Sequence, residues 1–157
     1  MNREQRRAAA KGKTRTNVAP VASLWWSNAP WAPTGYGTQT KQVVERLKAD
    51  GHPVAVAANY GLQAMQTEWE GIPIYPMGYE SYSNDTAGAY FRDWGNRNPG
   101  VPEHLFVLYD AWVLKGKLWD EAPISIWTMV DHLPVPPAVA EVLKNCLLYT
   151  SPSPRDA

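Results

Sequence analysis

Cysteine is almost missing from this chain: Cys146 is the only one in 157 residues. One thiol excludes an intrachain disulfide framework and any paired-cysteine metal knuckle. No apolar run approaches the roughly 20 residues of a membrane span, and the N-terminus lacks the apolar segment of a signal peptide, so the sequence predicts a cytoplasmic chain with no membrane span. A G-x-G-x-x-G turn is also absent, as is any internal repeat. His52, His104 and His132 lie far apart with no paired ligand motif, so no metal is expected.

What is present is the composition of a globular domain, with 45% hydrophobic and 19% charged residues. The length suits one domain with a real core and is too short for two large ones. The net charge of zero hides an asymmetry. Residues 1–17 carry six Lys or Arg against Glu4, a local balance of +5, with no aromatic residue. They read as a disordered basic arm, a solvated tail or a contact for nucleic acid or an anionic surface.

The chain is organised around Val21–Gln42, where an apolar run breaks into a Pro- and Gly-rich loop and then becomes a helix. Val21, Leu24, Trp25 and Trp26 have the character of a buried strand, while Pro30 and Pro33 forbid helix between Ser27 and Thr34. Gly35 and Gly37 precede a helix with Thr38 as its expected N-cap, and unpaired N–H groups at such a start attract anions. An ordinary βα turn has the same spacing.

Thr40, Val43, Val44 and Leu47 recur at helical spacing, Asp50 and Gly51 end that helix, and Pro53 prevents resumption. Val54–Ala58 is a short apolar strand of the kind covered on both faces in a parallel sheet. Further strands are expected at Ile72–Tyr75, Leu105–Tyr109 and Ile124–Val130. Helices are expected at Asp85–Asn96 and after Pro136 and Pro137, with a short helix or turn at Lys115–Glu121. This alternation predicts an α/β fold with an open, mostly parallel, Rossmann-like sheet and helices on both faces. Ligands of such sheets bind outside the carboxyl ends of the strands, where Ser27–Gly37, Asp110 and the Asp131–His132 pair converge.

Cys146–Asp156, CLLYTSPSPRD, resembles the conceptual translation of a sequencing adapter over every residue. Residues 146–157 are therefore read as an artefactual tail on a truncated gene, and the domain as residues 18–145 of something larger.

The segments SNAPWAPTGYGTQT, ADGHPVAV, GIPIYPMG and VDHLPVPP, in that order, resemble the N-terminal, acceptor-side domain of GT-B glycosyltransferases of family four, of bacterial or phage type. That resemblance implies transfer of a sugar, with retention, from a nucleotide-sugar donor to a glycan, lipid, protein or nucleic-acid acceptor, with a second, missing C-terminal domain completing the site. No cofactor is implied. Thr34, Gly35, Tyr36 and Gly37 would approach the donor diphosphate, and His132 with Asp131 would be the catalytic pair near the transferred sugar. Asn28, Trp31, Asp110 and Trp112 would contact acceptor or sugar. Bland readings stand beside these: Asp110 and Asp131 as turn caps, His132 as a structural hydrogen-bonder, and most of the eight tryptophans as core. Competing functions are a Rossmann-like nucleotide-binding domain of another enzyme class, or a non-catalytic interaction module with a basic arm. Against the first stands the absence of an acidic residue after VAVAA.

Overall fold

The computed structural model describes residues 18–115, 118, 122–129, 134–144 and 148–150. Its strands are β1 (Ala22–Ser27), β2 (Val54–Ala58), β3 (Thr67–Trp69), β4 (Ile72–Tyr75), β5 (Glu103–Leu108), β6 (Ile124–Trp127) and β7 (Leu148–Thr150), forming one sheet in the order β3-β4-β2-β1-β5-β6-β7. Every pairing is parallel except the β3–β4 hairpin. The helices are α1 (Gly35–Ala49), α2 (Ala87–Arg97) and α3 (Pro137–Leu143), with single 3-10 turns at Ser81–Ser83 and Ala111–Val113. This is the expected Rossmann-like α/β architecture.

Alternation along the strands sends side chains to two cores. Leu24 and Trp26 of β1, with Ala55 and Ala57 of β2, pack with Phe91 and Trp94 of α2. Trp25 of β1, with Val54 and Val56 of β2, packs with Val44 of α1 on the other face. All of β1 and β2 is buried, which explains why neither shows the polar alternation of a one-sided sheet.

The expected end of α1 is present: Asp50 caps it and Gly51 has φ +89°. Its start is not where expected. Thr34, rather than Thr38, is the N-cap, and its Oγ1 accepts the Gly37 N–H at 3.0 Å. The helix therefore starts four residues earlier than the glycines suggest, and Gly35 and Gly37 lie inside its first turn. β3 was not expected either. Glu70 and Gly71, at φ +49° and +69°, make the two-residue turn that folds Thr67–Trp69 back onto β4. The β5 and β6 strands sit within two or three residues of their expected bounds, whereas most of Lys115–Glu121 lies outside the described residues. β7 pairs with β6 inside the stretch that reads as an adapter, and the site below owes nothing to it.

Candidate functional site

β1 sits centrally, with β2 on one side and β5 on the other, so the chain turns in opposite directions from it. The crevice beyond the carboxyl ends of β1 and β5 is therefore a topological switch point, the standard ligand position in open α/β sheets.

Three hydrogen bonds build that crevice, two of them between residues distant in sequence. The Tyr109 hydroxyl donates to Asn28 Oδ1 at 3.0 Å, and Asn28 Nδ2 donates to Thr34 Oγ1 at 2.9 Å. The Tyr36 hydroxyl donates to Asp110 Oδ1 at 3.1 Å. Beneath them Thr40 Oγ1 lies 2.8 Å from Ser27 Oγ and 2.7 Å from the Tyr36 carbonyl, in a region closed to solvent. The amide and hydroxyl groups of the loop are thus held by one another.

Asp110 occupies the N-cap position of the 3-10 turn that follows it, but its side chain makes no capping bond there. Its carboxylate faces Tyr36 instead, and no described residue binds its second oxygen. Burial first, then the Asp110 charge and hydrogen bond, push the Tyr36 hydroxyl up to about 12. Burial also pushes Tyr109 well up. Both phenols are therefore neutral donors at physiological pH.

The two glycines differ. A Cβ on Gly37 would come within 2.4 Å of the Ala32 carbonyl oxygen, so its glycine is required by packing of the loop onto the helix. A Cβ on Gly35 would meet nothing within 4 Å, and no positive φ demands glycine there. The Gly35 and Tyr36 amides, at the first two helical positions, have no partner among the described residues.

Neighbouring loops close around the crevice. Ala29 N–H donates to the Tyr60 carbonyl, and Trp31 Nε1 donates to the Gly61 carbonyl at 2.8 Å, tying the loop after β1 to that after β2. Ala111 N–H donates to Thr128 Oγ1 at 2.9 Å, tying the loop after β5 to the end of β6. Apolar exposure is concentrated on this rim. Among the described residues, the exposed large hydrophobic side chains are Val18 and then Trp31, Tyr60, Met65, Met77, Tyr79, Trp112, Met129 and Val135, and all but Val18 follow the carboxyl end of a parallel strand.

The crevice brings together Asn28, Thr34, Tyr36 and Asp110 of the expected residues, with Gly35 and Gly37 on the same helical turn. Trp31 and Trp112 stand on its rim, 41% and 54% exposed. Asp131 and His132 lie outside the described residues. Sequence reasoning missed Tyr109, Thr128, Tyr82 and Asn84. Tyr109 had a signal, a polar-tipped aromatic at a strand's carboxyl end beside Asp110; the others had none. His52 and His104 belong to the opposite rim, where His52 Nδ1 accepts from Val21 N–H and His104 Nε2 lies 2.8 Å from Ser125 Oγ. A groove of ≈ 520 Å³ also opens at that rim, between the end of α2 and the start of β5, lined by residues such as Arg92, Asn98 and Glu103. It shares no residue with the crevice.

No protein-family model, curated protein or solved structure matches the chain.

Proposed function

We propose that the crevice between β1 and β5 is the acceptor-side half of a glycosyltransferase site. The observation that carries this reading is the pairing of Tyr36 with Asp110 across the switch point, which holds a carboxylate with one oxygen unpartnered among the described residues against the side chain of a residue in the first turn of α1. Carboxylate oxygens take sugar hydroxyls, and helix-start amides with the positive end of the helix dipole take a diphosphate. The exposed indoles of Trp31 and Trp112 add apolar faces suited to a pyranose ring.

In the reaction, the bond from the donor's anomeric carbon to the diphosphate oxygen breaks and a bond to an acceptor oxygen forms. The acceptor's proton leaves with the nucleotide or to a base. The amides of Gly35 and Tyr36 stabilise the charge that grows on the diphosphate. Asp110 fixes a sugar hydroxyl, and neutral Tyr36 keeps Asp110 aimed. Asp131 and His132 complete the proposed catalytic set, with a second Rossmann-like domain supplying the rest of the nucleotide-sugar site. No metal enters this scheme.

The test is to amplify the source DNA across the Asn145 codon, express the extended chain and follow sugar release from a panel of uridine, guanosine and adenosine diphosphate sugars. A second Rossmann-like domain and release that collapses in Asp110→Asn are expected. A frame that closes soon after Asn145, or release untouched by Asp110→Asn, overturns the reading.

A further inference from the structure

The loop between β4 and α2 is the most strained segment among the described residues, because Tyr82 and Ser83 both hold positive φ, +61° and +56°, without being glycine. Such positions cost on the order of 1–3 kcal/mol each and persist only where their surroundings over-determine them. The surroundings are explicit. Trp26 Nε1 donates to the Tyr82 carbonyl at 2.9 Å, Gly78 N–H donates to Ser83 Oγ at 2.9 Å, and Ser83 Oγ donates to Asn59 Oδ1 at 3.1 Å.

What the strain positions is an aromatic chain that ends at the crevice rim. The Tyr82 ring meets Tyr109 at 6.0 Å and Trp112 at 5.8 Å, both in T-shaped contact, and Tyr109 meets Tyr36 at 5.5 Å in the same manner. The neighbouring Asn84 grips the segment that carries Trp112. Its Nδ2 donates to the Val113 carbonyl at 3.1 Å, and its Oδ1 accepts the Lys115 N–H at 2.8 Å. Trp112 is thus fixed at its ring and through the backbone that follows it, yet stays 54% exposed, two residues beyond Asp110.

We infer that Tyr82 and Asn84 are positioning residues that hold Trp112 as a preorganised stacking platform for a hexose ring whose hydroxyl is taken by Asp110. The inference rests on the sugar-transfer reading and deepens it by assigning the ring-binding surface to Trp112 and its control to the loop between β4 and α2, which also packs Tyr82 against Tyr109. A loosely held indole loses rotamer freedom when it binds, whereas a clamped one has already lost it.

The experiment uses the full chain labelled with 5-fluorotryptophan, with the Trp112 resonance assigned by its loss in Trp112→Phe. Glucose, galactose, mannose and N-acetylglucosamine are titrated in turn, with uridine as a planar-ring control. Tyr82→Gly suits the left-handed backbone and removes the ring, which also packs against the core, so an unchanged amide spectrum away from the loop serves as the check that the fold is kept; Tyr82→Phe keeps the ring. At least one hexose should shift the Trp112 signal, with affinity about tenfold weaker in Tyr82→Gly and unchanged in Tyr82→Phe, the size expected for loss of one aromatic contact. Asn84→Ala should weaken it in the same direction.

A Trp112 shift that is undiminished in Tyr82→Gly overturns the positioning role. A hexose that perturbs the Asn28, Tyr36 and Asp110 amides without moving Trp112 overturns the platform and leaves the sugar reading standing. Uridine alone moving Trp112, or no response anywhere from any hexose, overturns both.

Discussion

The Tyr36 hydroxyl and the Asp110 carboxylate, 74 positions apart, meet at 3.1 Å and join the first turn of α1 to the end of β5. Asp110→Asn keeps the shape and removes the charge, so the Tyr36 titration should move down from about 12 while burial still holds it above its usual 10. Absorbance of tyrosinate during an alkaline titration, compared with Tyr36→Phe, measures this. No movement between the two proteins would mean that the pair is not formed.

Raised phenol values at three tyrosines predict how the fold responds to alkali. Tyr36, Tyr75 and Tyr109 all have raised values, chiefly through burial, and Tyr75 also donates to Asp93 Oδ2 at 2.5 Å. A raised folded-state value means stability fully present below the unfolded value near 10 and lost as pH climbs through the folded values. Urea midpoints should therefore be insensitive to these groups from pH 8 to 10 and fall steeply between 10 and 12. Replacing Tyr75 with Phe should flatten part of that fall.

Thr34 caps α1 and also receives Asn28, so Thr34→Ala removes two acceptor roles at once. The expected cost is about 1–2 kcal/mol of folding free energy, from the lost cap and the amide left without its partner. Thr38→Ala should cost less than half as much, because Thr38 is a first-turn residue rather than the cap. Chemical denaturation of the two variants separates the assignments.

The two glycines of α1 should part company. Gly37→Ala drives a methyl into the Ala32 carbonyl and should destabilise by about 1–3 kcal/mol. Gly35→Ala enters open space and should be neutral or gain up to about 0.5–1 kcal/mol. Where amplification across Asn145 yields the proposed two-domain protein, Gly35→Val should cripple donor use with the fold intact. Normal turnover in that variant would discredit the phosphate-facing role of the turn.

The legible parts of the sequence were those where one physical signal dominated. VAVAA had to be a strand covered on both faces, and Asp50-Gly51 before Pro53 could only end a helix. The start of α1 departs from expectation because two glycines draw the boundary toward them, whereas Thr34, immediately after Pro33, is the cap. The β3 strand is only three residues long and too short to show a period. Within the crevice, strand-end position was enough to select Asp110 and the loop from Asn28 to Gly37. The partner of each was not, since Tyr36–Asp110 and Asn28–Tyr109 depend on β1 lying beside β5, an adjacency that local pattern does not encode. Tyr82 carries no local signal for a related reason: its carbonyl, on a left-handed backbone, is held by Trp26, 56 residues away.

Backbone amide shifts of the ¹⁵N-labelled chain during titration with the four hexoses test most directly whether the switch-point crevice is half of a sugar site. Perturbations should cluster at Asn28, Gly35, Tyr36, Tyr109 and Asp110, and Asp110→Asn should weaken them about tenfold or more, as expected for loss of a charged hydrogen-bond acceptor. Perturbations confined to the opposite rim, around Arg92, Asn98 and Glu103, or none at all, would contradict it.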